Sequence, residues 1–261
     1  MTRIIVIASS KGGVGKTTTA INLGFALQQF GRKVLVLDAN IHKPNISIHL
    51  GHPLVQTTLT DVLKGRAKVD EAAYEHSSGL RIIPSSIHLE DIKNINVDLL
   101  PEVMLDLEGT SEAVLVDSAS GLGNEFLAAL KSADEVIVVT QPTLPSVVDA
   151  LKTIQVAEEH GKDILGVVVN TYRGDDFELE VKNIQAILEK PVIALIPHDE
   201  AVREALYRKQ PVVHTHPDAP ASIGFKQLAA YLIGEKYVHS LQEEEKKSMF
   251  NYVLKKLGLR N

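Results

Sequence analysis

The chain has 261 residues, with 27 Lys and Arg against 33 Asp and Glu and a formal net charge of −6. That length suits one large domain with a substantial core, and the acidic balance argues against a body built to bind nucleic acid. The absence of cysteine excludes disulfides and thiolate metal sites, no apolar run approaches a bilayer span of about 20 residues, and Met1-Thr2-Arg3 lacks signal-peptide form, so a cytoplasmic protein is expected.

Short apolar runs alternate with helical patterns, the signature of a parallel sheet covered on both faces. Residues 4–9, 34–38, 80–84, 113–117, 135–140, 165–170 and 192–197 read as strands. Residues 22–30, 124–132, 147–160 and 179–189 read as helices. The fold class expected is α/β, a doubly wound, mostly parallel sheet with helices on both faces. A composition break near Glu235 separates a domain of residues 1–234 from a charged segment at 235–261. Ligands of open α/β sheets sit outside the carboxyl ends of strands. Asp38, Asp117, Asn170 and Pro197 all lie at such ends.

Between the first strand and the first helix runs Lys11-Gly12-Gly13-Val14-Gly15-Lys16-Thr17-Thr18. Glycines let backbone amides approach an anion closely, and the following helix start adds a positive dipole. In this context Lys16 would reach the β- and γ-phosphates of a nucleotide and the Thr17 hydroxyl would ligate magnesium. The strict phosphate-loop pattern asks for glycine at position 10. This chain has Ser10 there and a lysine, Lys11, at the head of the loop.

That loop resembles the deviant Walker A sequence, KGGxGK[ST], of the MinD/ParA family of P-loop ATPases. The resemblance implies a P-loop NTPase fold with ATP and Mg2+ as cofactors. It also implies an ATP-sandwich homodimer in which Lys11 crosses to the partner's nucleotide. A second cation there would stabilise charge on the transferring group. The lack of cysteine argues against the iron–sulfur and zinc members of the same superfamily.

Further residues follow the same resemblance. Asp117 ends an apolar strand as a Walker B aspartate would, and its carboxylate is expected in the magnesium shell; the other reading is a helix cap. Ser118-Ala119-Ser120-Gly121 resembles switch II, with Ala119 in place of its proline, and the Gly121 amide is expected at the γ-phosphate. Asp38-Ala39-Asn40 resembles switch I, where a second Asp is usual. Asn40 can position water but cannot take its proton, so slow hydrolysis is expected. Asp38 reads either as a holder of magnesium-shell water or as a structural turn carboxylate. Asn170 and the Pro197-His198-Asp199 loop resemble the family's adenine site, although Asn170 alone also reads as a turn cap. The GTPase-type N-K-x-D is missing, which favours ATP.

Toward the C-terminus, Phe250, Val253, Leu254 and Leu257 fall at helical spacing with Lys255 and Lys256 away from that face. The segment resembles the MinD C-terminal membrane-targeting helix; an ordinary docked helix is the other reading. Two such helices on a dimer would hold an anionic membrane surface by avidity. The expected function is MinD-like. ATP drives dimerisation and membrane association, hydrolysis releases the dimer, and the cycle positions cell-division or other machinery with an unidentified activating or cargo protein. The expected location is peripheral, on the inner face of the cell membrane. Rival readings are a ParA-type DNA-partitioning ATPase, a flagellar or chemotaxis positioning ATPase, and a metabolic P-loop ligase. His214 and His216 read as loop residues rather than a metal pair, because no third ligand is evident.

Overall fold

The computed structural model describes residues 2–51 and 55–237, so the expected C-terminal helix lies outside the described residues. Eight strands form the sheet: β1 (Arg3–Ala8), β2 (Val34–Asp38), β3 (Tyr74–Glu75), β4 (Arg81–Ile83), β5 (Ala113–Asp117), β6 (Glu135–Thr140), β7 (Asp163–Tyr172) and β8 (Val192–Pro197). Their order is β3-β4-β2-β5-β1-β6-β7-β8. All neighbours are parallel except β3 and β4.

The central strands are apolar on both sides, as strands covered by helices must be. Ile4, Val6 and Ala8 of β1 enter one buried cluster while Ile5 and Ile7 enter the other. The first cluster packs under α5 (Leu100–Asp106), α6 (Asn124–Lys131), α7 (Leu144–Glu159) and α8 (Val181–Leu188). Phe126 of α6 is among its largest fully buried side chains. The second packs under α1 (Lys16–Gln29), α9 (Glu200–Tyr207), α10 (Val212–Thr215) and α11 (Pro220–Leu232). Short helices α2 (Ile46–His49), α3 (Leu59–Leu63) and α4 (Leu89–Ile92) and two 3-10 turns, Asp70–Ala72 and Val97–Leu99, complete the described elements. Helix α1 lies very close to the sheet at Gly24. A Cβ there would fall 2.6 Å from Val36 Cγ2, closer than any real Cβ contact.

The doubly wound α/β expectation is met. Four strands match their sequence boundaries, but β7 extends to Asp163–Tyr172 and β3 has no counterpart among the expected strands. A two-residue edge strand carries no periodicity to read. Helix α1 begins at Lys16 rather than near residue 22, because Thr17, Thr18 and Thr19 dilute the helical signal in its first turn. Helix α11 buries Ala221, Ser222, Gly224, Ala229 and Ala230 alongside Phe225 and Leu228, so small residues mask its apolar face. Of His214 and His216, read as loop residues, His214 lies within α10 and His216 follows its end.

Strand β1 lies between β5 and β6, with β2 beyond β5 on one side and β7 beyond β6 on the other. The order therefore reverses at the carboxyl end of β1, the switch point where such sheets bind ligands. Residues 9–15 occupy that position.

Candidate functional site

The loop leaves β1 at Ala8 and ends at Gly15, which caps α1 with φ +100. That left-handed backbone favours glycine. The loop head is tied to α7. The Ser10 amide donates to Thr153 Oγ1 at 2.9 Å and Ser10 Oγ donates to the Asp149 carbonyl at 2.8 Å. Lys11 Nζ donates to Ser146 Oγ at 2.8 Å. Lys16 Nζ reaches back across the loop to the Lys11 carbonyl at 3.4 Å. Gly12, Gly13 and Val14 form the turn between these lysines, and α1 starts at Lys16, so its first-turn amides have no partner within the helix.

Beneath the loop, Thr17 Oγ1 donates to Asp117 Oδ2 at 2.5 Å. Asp117 is fully buried, and its Oδ1 has no hydrogen-bond partner among the described residues. Asp38 and Asp117 are register partners at the ends of β2 and β5. Burial pushes both carboxyls above the usual carboxylate range. Asp117 raises Asp38 further, while the Thr17 hydroxyl and then Lys16 oppose the rise at Asp117. Burial pulls the Lys16 ammonium down, against the attraction of Asp117. An orphaned buried carboxylate oxygen beside a threonine hydroxyl is part of a hard oxygen set. Such a set fits a magnesium ion, which Thr17 and Asp117 would help to hold.

The switch-like segments are engaged with the protein itself. Asp38 Oδ1 accepts from the Asn40 amide at 3.1 Å, and Oδ2 accepts from the amides of Asn45 and Ile46 at 2.8 and 2.9 Å. Of its two readings, these contacts are those of a turn carboxylate that gathers residues 39–46. His42 contacts Glu125 at the start of α6, tying this loop to the segment after β5. The Gly121 amide donates to the Ser10 carbonyl at 2.7 Å. Ser118 Oγ donates to the Ile7 carbonyl at 2.9 Å.

At the base end, Asn170 comes to the loop rather than standing apart from it. Its Nδ2 donates to the Val14 carbonyl at 2.8 Å. Pro197 ends β8 opposite Tyr172. Asp199 joins two helix starts, accepting from Ala201 at 2.9 Å and from Ala221 at 3.1 Å. His214 packs edge-on against Phe25, and no group of three or more His, Asp or Glu arranged for a metal occurs among the described residues.

The structure thus brings Lys11 to Thr18, Asp38, Asp117, Gly121 and Asn170 together around one end of β1. Sequence reasoning missed Ser146, Asp149 and Thr153, the α7 residues that hold the loop head. No motif marks them, and they lie more than 130 residues away along the chain.

A family model described as the CobQ/CobB/MinD/ParA nucleotide binding domain matches residues 5–212. An uncharacterized ATP-binding protein of Methanocaldococcus jannaschii is 40% identical over 98% of this chain and 97% of its own. Antiactivator FleN of Pseudomonas aeruginosa is 30% identical over 87% of this chain and 85% of its own. The septum site-determining protein MinD of Pyrococcus horikoshii, solved with Mg-ADP, superposes with a TM-score of 0.85 at 35% identity, covering 89% of this chain and 96% of that one. The MinC:MinD cell division protein complex of Aquifex aeolicus gives 0.82 at 30% identity, covering 91% and 98%. Loop, buried aspartate pair and sheet order agree with what these similarities say: the chain belongs to the CobQ/CobB/MinD/ParA family of nucleotide-binding domains, among its MinD- and ParA-type ATPases.

Proposed function

We propose that this protein is an ATP-driven switch: it dimerises with ATP and Mg2+, gathers on an anionic membrane surface, and leaves after hydrolysis. Its output is the position of other proteins, and its location is cytoplasmic and peripheral to the inner face of the cell membrane. The observation that carries this reading is the Lys11-headed loop above the buried Thr17–Asp117 pair. The similarity to MinD solved with Mg-ADP and to a MinC:MinD complex supports the nucleotide and the protein partner.

The residues divide the work. Amides of residues 12–18 and the Lys16 ammonium hold the phosphates, while Thr17 and Asp117 hold Mg2+. Held there, Mg2+ would supply positive charge against the phosphates. Asn40 orients water. Asn170, Pro197 and Asp199 form the end of the site where adenine lies. Two contacts must open in the active state. Lys11 leaves Ser146 to reach the partner's nucleotide, and the Gly121 amide leaves Ser10 to meet the γ-phosphate.

The membrane step rests on residues 246–260, where the apolar spacing and lysines fit an interfacial helix. One short helix binds weakly, and two on a dimer gain about 10²–10⁴ by avidity. Co-sedimentation with anionic liposomes tests this, comparing ATP with ADP and the full chain with one ending at Gln242. Pelleting that needs both ATP and the tail supports the reading. No pelleting in any state overturns the membrane step. The similarity to antiactivator FleN favours a second reading, in which the same switch acts on a regulatory protein rather than on division machinery.

A further inference from the structure

We propose that Glu125, acting through His42, is a positioning residue for ATP hydrolysis: it holds the turn from which Asn40 presents its side chain to the attacking water. The proposal deepens the reading of Asn40 above and rests on it.

The chain that leaves β2 is fixed first by Asp38, whose Oδ1 accepts from the Asn40 amide at 3.1 Å. Asn40 then opens a turn, its carbonyl accepting from the Lys43 amide at 3.2 Å. His42 is the third of the four residues in that turn, and two of its groups go to a single acceptor. Its backbone amide donates to Glu125 Oε1 at 3.0 Å, and its ring Nδ1 meets the same oxygen. A carboxylate oxygen accepts, so Nδ1 is the donor in that contact. The Asn40 backbone is thus held from before by Asp38 and from after by Glu125. None of these bonds uses the Asn40 carboxamide, which leaves it to orient water.

The post itself is firm. Glu125 is the second residue of α6, and Phe126 beside it is fully buried. Ile41, the neighbour of His42, enters the same apolar cluster as Phe126. Two buried anchors therefore set the exposed His42 against Glu125, across 83 residues of sequence. The Glu125 side chain keeps only 15% of its exposure, so water competes little for its oxygen. First-turn amides of α6 also favour a carboxylate at this position.

Hydrolysis joins a water oxygen to the γ-phosphorus as the bond to the ADP oxygen breaks, and the water's proton leaves with the phosphate product. Such a step depends on where the water stands, and a misplacement of about 1 Å can cost on the order of a hundredfold. Releasing the turn from Glu125 lets Asn40 wander while the phosphate loop is untouched.

Phosphate release in single turnovers, with the full chain in excess over Mg2+·ATP and followed for hours, tests this beside calorimetric ATP binding. Glu125→Ala is expected to lower the rate about tenfold, with ATP affinity within about twofold of wild type. The same change made in Asn40→Ala costs nothing further, because the two residues act as one unit. His42→Ala reproduces the loss at an exposed position that the fold tolerates, should Glu125→Ala fold poorly. His42→Asn restores the rate, since its Nδ2 stands where the ring Nδ1 stood. An unchanged rate in Glu125→Ala and His42→Ala, or an equal loss with and without Asn40, overturns the proposal. A wild-type chain that binds no ATP overturns the nucleotide reading itself, and the proposal with it.

Discussion

Replacing Asp38 by alanine removes the common acceptor of three backbone amides, those of Asn40, Asn45 and Ile46 at 3.1, 2.8 and 2.9 Å. Asp38 and Ile46 are both fully buried, so water does not take the carboxylate's place without rearrangement. Each stranded buried donor costs about 1–3 kcal/mol. Two effects reduce the total: residues 39–46 relax, and repulsion from Asp117 disappears with the charge. A net loss of about 3–5 kcal/mol follows for Asp38→Ala, near the upper end for single substitutions. Asp38→Asn keeps an oxygen for Asn45 and Ile46 and removes one of the two facing carboxyls. It is expected within about 1 kcal/mol of wild type. Urea unfolding of the nucleotide-free protein measures both, with the midpoint read at constant m. If Asp38→Ala proves as stable as Asp38→Asn, the three amide contacts do not hold this loop and the turn role is wrong.

Other expectations concern charge, packing and water. Burial raises the folded-state values of Asp38 and Asp117, so the unfolded chain binds fewer protons than the folded one above about pH 4. Stability from this pair is therefore present below that pH and is lost as pH rises toward neutrality and beyond, and Asp38→Asn flattens the profile measured by urea midpoints in nucleotide-free protein. Gly24→Ala gains helix propensity but drives a Cβ to 2.6 Å from Val36 Cγ2. A net loss of about 1–2 kcal/mol is expected, with recovery in the double variant carrying Val36→Ala; a stabilised single variant contradicts the close packing of α1 on β2. Asn40→Asp supplies a proton acceptor beside the attacking water and should raise basal turnover by about tenfold, below the usual range for general-base catalysis. Unchanged turnover means that this side chain does not limit the reaction.

Much of the sheet was legible because buried parallel strands leave continuous apolar runs. Residues 34–38 and 113–117 each end in an aspartate, and the strands begin and end where the runs do. The phosphate loop was equally plain, since its function demands particular residues at consecutive positions. What stayed hidden was how side chains at strand ends are used. Asp38 and Asp199 both stand where a ligand contact is expected. The fold turns each carboxylate onto backbone amides, of the following loop for Asp38 and of two helix starts for Asp199. A sequence shows that a carboxylate ends a strand but not which amides come within hydrogen-bonding reach of it. The α7 anchors of the loop head were invisible for a related reason. Ser146 and Thr153 are ordinary helix residues until the helix packs beside β1.

The ATP-driven switch stands most directly on Lys11, held by Ser146 within its own chain and assigned to a second chain's nucleotide. Light scattering after size-exclusion chromatography measures the mass of the full chain and of Lys11→Ala with Mg2+·ATP and with Mg2+·ADP, beside calorimetric ATP binding. The expected result is a dimer only with ATP in the wild type, and a monomer in Lys11→Ala that still binds ATP. A wild-type chain that stays monomeric while saturated with ATP, or a Lys11→Ala chain that dimerises as readily as wild type, contradicts the switch.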